Sequence, residues 1–238
     1  MRIFVTAGNT QTPIDRVRCI TNIFTGRTGA AIALEAYRRG HSVTLATSHP
    51  EALDQSQLDA ARWRCLPYRT FDDLDTLMRE QVGPEQPDAV VHCAAVSDYE
   101  VAGVFAPAPT TRFDADNLGW YAADESPALI DRSAGKIKSD EHELWLRLVR
   151  APKLVDKIRT EWGYRKLLVK FKLEVGVTED ELRAIAEKSR QQSTADWMVA
   201  NTLDGAAEWA LLGDERGYRK VTRAELPGAL IHALEAGI

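Results

Sequence analysis

The sequence predicts an α/β fold: a Rossmann-like, doubly wound, mainly parallel sheet that ends in a C-terminal antiparallel hairpin. Three observations predict it. A short β-branched apolar run, Arg2-Ile-Phe-Val-Thr-Ala7, stops on Gly8, as a buried parallel strand does where it enters a ligand-binding turn. Similar runs recur, separated by segments of ten or more residues with helical spacing, which is the alternation of βαβ units. The alternation then gives way over 207–221 to a hairpin pattern around Gly213-Asp214.

The elements follow in order. The helix expected directly after Gly8 is delayed by a polar segment carrying Asp15, Arg16, Arg18, Thr21 and Asn22, groups able to bind an anion or orient a carbonyl. It begins near Thr25-Gly26-Arg-Thr-Gly29, runs through Ala30, Ile32, Ala33 and Ala36, and stops at Arg38-Arg39-Gly40 with a cationic last turn and a glycine. Ser42–Thr47 is the second strand and 62–67 a third, while Leu74, Leu77 and Met78 set a crossover helix over 72–81. Asp88–Ala95 is a central strand that runs into Val96-Ser97-Asp98-Tyr99, at the carboxyl edge where open parallel sheets bind ligands. Residues 100–143 show no clear period and read as a long flap or loop, functional or disordered, within one domain spanning 1–238. A helix at about 152–162, a strand over 166–172 and a helix from the capping box Thr178-x-x-Glu181 to about 192 come next. A strand over 196–201 ends on Asn201, and Thr222-x-x-Glu225 introduces the last helix.

Composition excludes several classes of function. Lysine plus arginine number 30 and aspartate plus glutamate 35, a net charge of −5, so no global basic field points to a nucleic-acid partner. Cys19, Cys65 and Cys93 are odd in number and widely spaced, which predicts reduced thiols in a cytosolic setting instead of disulfides or a zinc site. The histidines show no metal-ligand spacing, and the metal ligands are unassigned. No apolar run approaches the roughly 20 residues that span a bilayer. With no apolar leader segment beyond 3–7, a cytoplasmic location is expected.

Each candidate group has a bland reading beside the functional one. Gly26 and Gly29 either leave helix N–H groups open to an anion or let the helix approach the strand closely. Arg18 and Asn22 share a face if their segment is helical and do not if it is extended. Cys19 reads as a packed thiol. Asp98 is either a turn former or a hydrogen-bond acceptor for a ligand in the crevice. Lys136 and Lys138 are solvated loop lysines or mobile charges that neutralise phosphate after a loop closes. Phe171 is a core aromatic or a platform for a base.

Taken in order along the chain, the blocks Val5-Thr6-Ala7-Gly8-x-Thr10, Ile14-Asp15-x-Val17-Arg18-x-Ile20-Thr21-Asn22, Thr25-Gly26-x-x-Gly29, Ala94-Ala95-Val96-Ser97-Asp98-Tyr99, Lys136-Ile137-Lys138-Ser139, Phe171-Lys172-Leu173 and Ala195-Asp196-x-x-x-Ala200-Asn201 resemble the phosphopantothenoylcysteine synthetases (phosphopantothenate–cysteine ligases) of coenzyme A synthesis. The likeness covers residue 2 to about 235 and is to the stand-alone form, without a fused decarboxylase. It implies activation of 4′-phosphopantothenate by a nucleoside triphosphate, CTP or ATP, with Mg²⁺. It further implies release of pyrophosphate and displacement of the nucleotide by the amine of L-cysteine. By resemblance, Asn22 holds the acyl-nucleotidylate carbonyl and Lys136 belongs to a flap that supports the chemistry. Arg18, Ala94, Gly8 and Thr10 lie at the substrate. Asp98, Lys138, Phe171, Lys188 and the segment Ala151-Pro152-Lys153-Leu154 lie at the nucleotide. A homodimer is implied as well.

Asn9 stands where the family has glycine or another small residue, and Gln192 where a second nucleotide lysine is expected. Two other readings therefore stand beside the ligase. A short-chain NAD(P)-dependent oxidoreductase is suggested by Thr25-Gly26-Arg27-Thr28-Gly29, although those glycines do not directly follow strand one and no tyrosine has lysine four residues on. A nucleotide-binding regulator on the same fold is the third.

Overall fold

The structure is a computed structural model that describes residues 1–123 and 126–237. Along the chain come β1 (Arg2–Ala7), β2 (Gln11–Pro13), β3 (Cys19–Thr21), α1 (Arg27–Arg38), β4 (Ser42–Thr47), β5 (Trp63–Pro67), α2 (Phe71–Val82) and β6 (Ala89–His92). β7 (Tyr99–Pro107), β8 (Thr111–Asp114), β9 (Gly119–Ala122), β10 (Leu129–Asp131) and β11 (Trp145–Arg150) follow. The chain ends with α3 (Leu154–Thr160), β12 (Leu167–Glu174), α4 (Glu179–Gln192), β13 (Trp197–Thr202), β14 (Trp209–Asp214), β15 (Gly217–Thr222) and α5 (Leu226–Ala236). Contacts divide it into two units: 1–10, 22–96 and the chain from 153 onward form one, and 11–21 with 97–152 form the other.

The first unit carries an eight-stranded sheet in the order β15-β14-β13-β12-β6-β1-β4-β5. β1 pairs in parallel with β4 and β6, and β12 with β6 and β13, while β14 and β15 close the sheet antiparallel. The six parallel strands have the order of a doubly wound nucleotide-binding sheet, whose switch point falls between β1 and β6. Ile3, Val5, Ile32, Ala33, Leu45, Val91, Val169, Leu230 and Leu234 form one buried core. Gly29 is there for contact: a Cβ on it would come 2.6 Å from Ala7 Cβ. The capping box predicted at Thr178 closes with Glu181, and an unpredicted one at Thr70 and Asp73 starts α2.

A polar thread runs through this core. Lys170, buried on β12 opposite His92, donates to Ser189 O at 3.0 Å and Ser193 Oγ at 2.6 Å, and Ser193 donates to Asp156 at 3.0 Å. It ties the first turn of α3 to β12 and to the end of α4.

The second unit corrects the expected loop at 100–143. β7 is the centre of a three-stranded antiparallel sheet, β10-β7-β11, and β8 and β9 form a hairpin. Phe113, Trp120 and Trp145 cluster with ring centroids 4.6–5.2 Å apart. These strands escaped the sequence reading because β8, β9 and β10 are three or four residues long and partly exposed, too short to show a period of two. The polar segment after Gly8 is likewise the β2–β3 hairpin, so Arg18 and Asn22 do not share a helical face. Cys19 is exposed on it, not packed.

Candidate functional site

β1 ends in Gly8, and its φ of +91° is open to glycine at no steric cost. Gly26, the residue before α1, has φ +76°, and a Cβ there would lie 2.6 Å from Gly8 N. Two glycine backbones thus meet at the start of α1, whose N-terminal N–H groups carry the positive end of the helix dipole. Around them lies a cavity of about 280 Å³ at the carboxyl ends of β1, β6, β12 and β13. Gly8, Ala94 and Phe171, all predicted from the sequence, line it, and so does Asn201 at the end of β13. Asp196, at the other end of that strand, is structural: its carboxylate accepts from Leu168 N at 2.7 Å and Arg159 Nη2 at 2.8 Å.

One wall continues toward Asn22. Ala95 N donates to Gly8 O at 2.8 Å, and Thr10 N to Ala95 O at 3.3 Å. Asn22 Nδ2 donates to the same Ala95 O at 3.1 Å, while the buried Asn9 holds the backbone of Asn22 through Nδ2 to O at 2.5 Å. Asn9 is itself fixed by Ser48, whose Oγ accepts from Asn9 N and donates to Oδ1. The departure at Asn9 is therefore a brace for Asn22. Asn22 and Thr10 adjoin the cavity lining without belonging to it.

Arg223 is the group that sequence reasoning missed. Its side chain lines the cavity, donates to Thr28 Oγ1 in the first turn of α1, and lies beside Cys93. Burial pulls its pKa below the ordinary arginine value. Burial pushes the Cys93 thiol up to about 12, against the pull of the Arg223 charge. One signal was available: an arginine just before the start of α5 opposes the helix dipole and gains nothing there, so it serves something else.

In the second unit, Asp15 is a hub. Its carboxylate accepts from Val17 N, Arg18 N, Ile137 N and the Arg18 guanidinium, and Arg18 first, then these N–H groups, hold it well below the usual carboxylate range. Lys136 and Lys138 are exposed on either side of the buried Ile137. The exposed Asp98 accepts through its carbonyl from Ala151 N at 2.9 Å, which brings those two predicted residues together. Ala151 is buried and Pro152 exposed.

The remaining predicted residues are apart from the cavity lining. Lys153 precedes α3 and is exposed, Leu154 is buried in the core, and Lys188 is exposed on α4. Among the described residues, no group of three or more His, Cys, Asp or Glu side chains could hold a metal ion. No helix among them is long and apolar enough to cross a membrane.

Comparison with known proteins gives a consistent picture. Residues 1–107 and 122–222 match the profile of the DNA/pantothenate metabolism flavoprotein C-terminal domain. The coenzyme A biosynthesis bifunctional protein of Thermococcus kodakarensis is 31% identical over 204 residues, which cover 85% of this chain and 41% of that one. Its Escherichia coli K12 counterpart is 27% identical over 203 residues, again 85% and 41%. The chain thus spans about two fifths of the length of these curated relatives. The crystal structure of the DNA/pantothenate metabolism flavoprotein from Streptococcus pneumoniae superimposes with a TM-score of 0.79 at 28% identity, covering 100% of both chains.

Proposed function

Because this chain belongs to the family of the DNA/pantothenate metabolism flavoprotein C-terminal domain, we propose that it is a phosphopantothenate–cysteine ligase of coenzyme A biosynthesis. In the first step a carboxylate oxygen of 4′-phosphopantothenate attacks the α-phosphorus of CTP and pyrophosphate leaves. In the second the amine of L-cysteine attacks the acyl carbon, CMP departs with the bonding electrons of the acyl C–O bond, and the nitrogen sheds a proton as the amide forms. No enzyme nucleophile is needed.

The observation that carries this reading is the cavity at the strand ends, where the α1 N-terminus, Arg223, Phe171 and Asn201 converge, in a chain whose relatives are named for coenzyme A biosynthesis. Preorganised donors of this kind stabilise developing negative charge without reorganisation. Phe171 stacks on the base, and the α1 N–H groups with Arg223 carry the phosphate charge. Asn22, braced by Asn9 against the Gly8–Ala95 wall, orients the acyl carbonyl. Lys136 and Lys138 neutralise phosphate oxygens. No carboxylate cluster among the described residues would hold Mg²⁺; an ion carried in on the triphosphate, liganded by phosphate oxygens and water, would draw charge from the α-phosphate. CTP as the preferred nucleotide, a homodimer and a cytoplasmic setting belong to the same proposal.

Purified protein is expected to release pyrophosphate only when CTP or ATP and 4′-phosphopantothenate are both present, and to form amide only with cysteine. CTP binding without turnover would instead favour the regulator, and NAD(P)H binding the oxidoreductase.

A further inference from the structure

The Lys-Ile-Lys segment is held by residues more than a hundred positions earlier in the chain. Asp15 Oδ1 accepts from Val17 N at 2.8 Å and Arg18 N at 2.7 Å, which fixes the carboxylate inside its own turn. Asp15 Oδ2 accepts from Arg18 Nε at 3.1 Å, Arg18 Nη2 at 2.6 Å and Ile137 N at 3.1 Å. Arg18 Nη2 also donates to Ile137 O at 3.0 Å. Both backbone polar groups of Ile137 are therefore caught by one ion pair. Next to it, Arg16 N donates to Gly135 O at 3.0 Å, and Ile14 N to Arg18 O at 2.9 Å closes the turn from behind.

We propose that Asp15 and Arg18 form a clasp on the Ile137 peptide, and that Asp15 is a positioning residue for Lys136 and Lys138. Ordinary exposed ion pairs contribute little. This one differs because the Asp15 side chain is 0% exposed and its hydrogen bonds are charge-assisted, which makes them shorter and stronger than neutral ones. Ile137 is 4% exposed between two exposed lysines, so the segment is pinned by its middle residue while both ammonium groups stay in solvent. The clasp also gives Arg18 a structural partner, where the family resemblance assigns it only to substrate. What the lysines do once positioned rests on the ligase reading; that they are positioned does not.

Amide hydrogen exchange on the full chain tests the clasp without any ligand. Asp15→Asn turns an acceptor into a donor facing Arg18 and Ile137 N–H. It should speed exchange at the Ile137 amide by about tenfold or more, with the amides of β1 unchanged. Unaltered protection at Ile137 in a folded variant overturns the proposal. Should Asp15→Asn fail to fold, Arg18→Gln carries the same test at the same amide, with the same overturning result. Turnover supplies the second arm. If Asp15 acts through the two lysines, Asp15→Asn should add less than about twofold to the loss already caused by Lys136→Gln and Lys138→Gln together. Losses that multiply would show that Asp15 acts elsewhere and overturn the positioning role. Faster Ile137 exchange in Asp15→Asn, with a wild-type chain that makes no amide, would leave the clasp standing and remove the ligase reading.

Discussion

The two units hold their candidate groups by different means. In the sheet-bearing unit the cavity is built from backbone: strand ends, two positive-φ glycines in van der Waals contact, and the first turn of a helix. In the smaller unit the candidate lysines are held by a carboxylate and a guanidinium that reach across the sequence. The backbone-built part of the first is sensitive above all to added volume, whereas the side-chain clasp is sensitive above all to loss of charge. Substitutions that change one property at a time separate the two.

The largest effect is expected in the smaller unit. Lys136→Gln keeps length and removes charge, and should slow amide formation by roughly 10²–10³-fold, the scale of losing one preorganised charge-stabilising group, with unfolding unchanged. A wild-type rate would remove Lys136 from the chemistry. In the larger unit, Gly26→Ala adds a single methyl at φ +76° against Gly8. It should destabilise by about 3 kcal/mol, a fall of roughly 6–12 °C in Tm, and weaken nucleotide binding measured by calorimetry. A neutral outcome would mean that the glycine pair can separate freely.

The third effect is set by pH. His92, buried at the end of β6, has its pKa pushed down to about 4 by burial first and by the neighbouring Lys170 charge second. Between its ordinary value of 6.5 and about 4, the unfolded chain binds a proton that the folded chain refuses. Stability therefore falls as pH drops through that window, by on the order of 3 kcal/mol, and this contribution levels off below it. Asp15 works in a lower window: its depressed folded pKa gives stability that is present above the ordinary carboxylate value and lost as pH falls below it. Denaturant unfolding of His92→Asn should flatten the upper window and leave the lower one unchanged. The smallest change is Arg223→Lys, which keeps charge and loses the planar fork. It should weaken nucleotide binding by about tenfold; an unchanged Kd would show that Arg223 serves only Thr28.

What the sequence revealed follows the same division. The central parallel strands were readable because they are buried apolar runs bounded by glycine or polar residues; β12 ends two residues beyond its expected end and β6 three residues short of its own. Gly8, Ala94 and Phe171, named from the family resemblance, line the cavity because they lie at or near those ends. The second unit was not, since three of its strands are too short to carry a period. The clasp was invisible for another reason: Asp15 and Ile137 are 122 positions apart, and nothing local to either predicts the other. Arg223 was passed over inside the expected Thr222-x-x-Glu225 cap, although a cation there opposes the helix dipole; in the structure Glu225 itself precedes α5, without a side-chain cap.

Cys93 gives the cavity a chemical restraint of its own. With burial pushing its pKa up to about 12, the thiol is almost wholly protonated at neutral pH. Under the proposed ligase reading the cavity receives an activated acyl group, which a thiolate in its lining would capture as a thioester. Kept protonated, the thiol is a poor nucleophile, and on the ligase reading the acyl group is left for the amine. A pocket proposed to handle cysteine thus contains a cysteine of its own that cannot compete with the substrate.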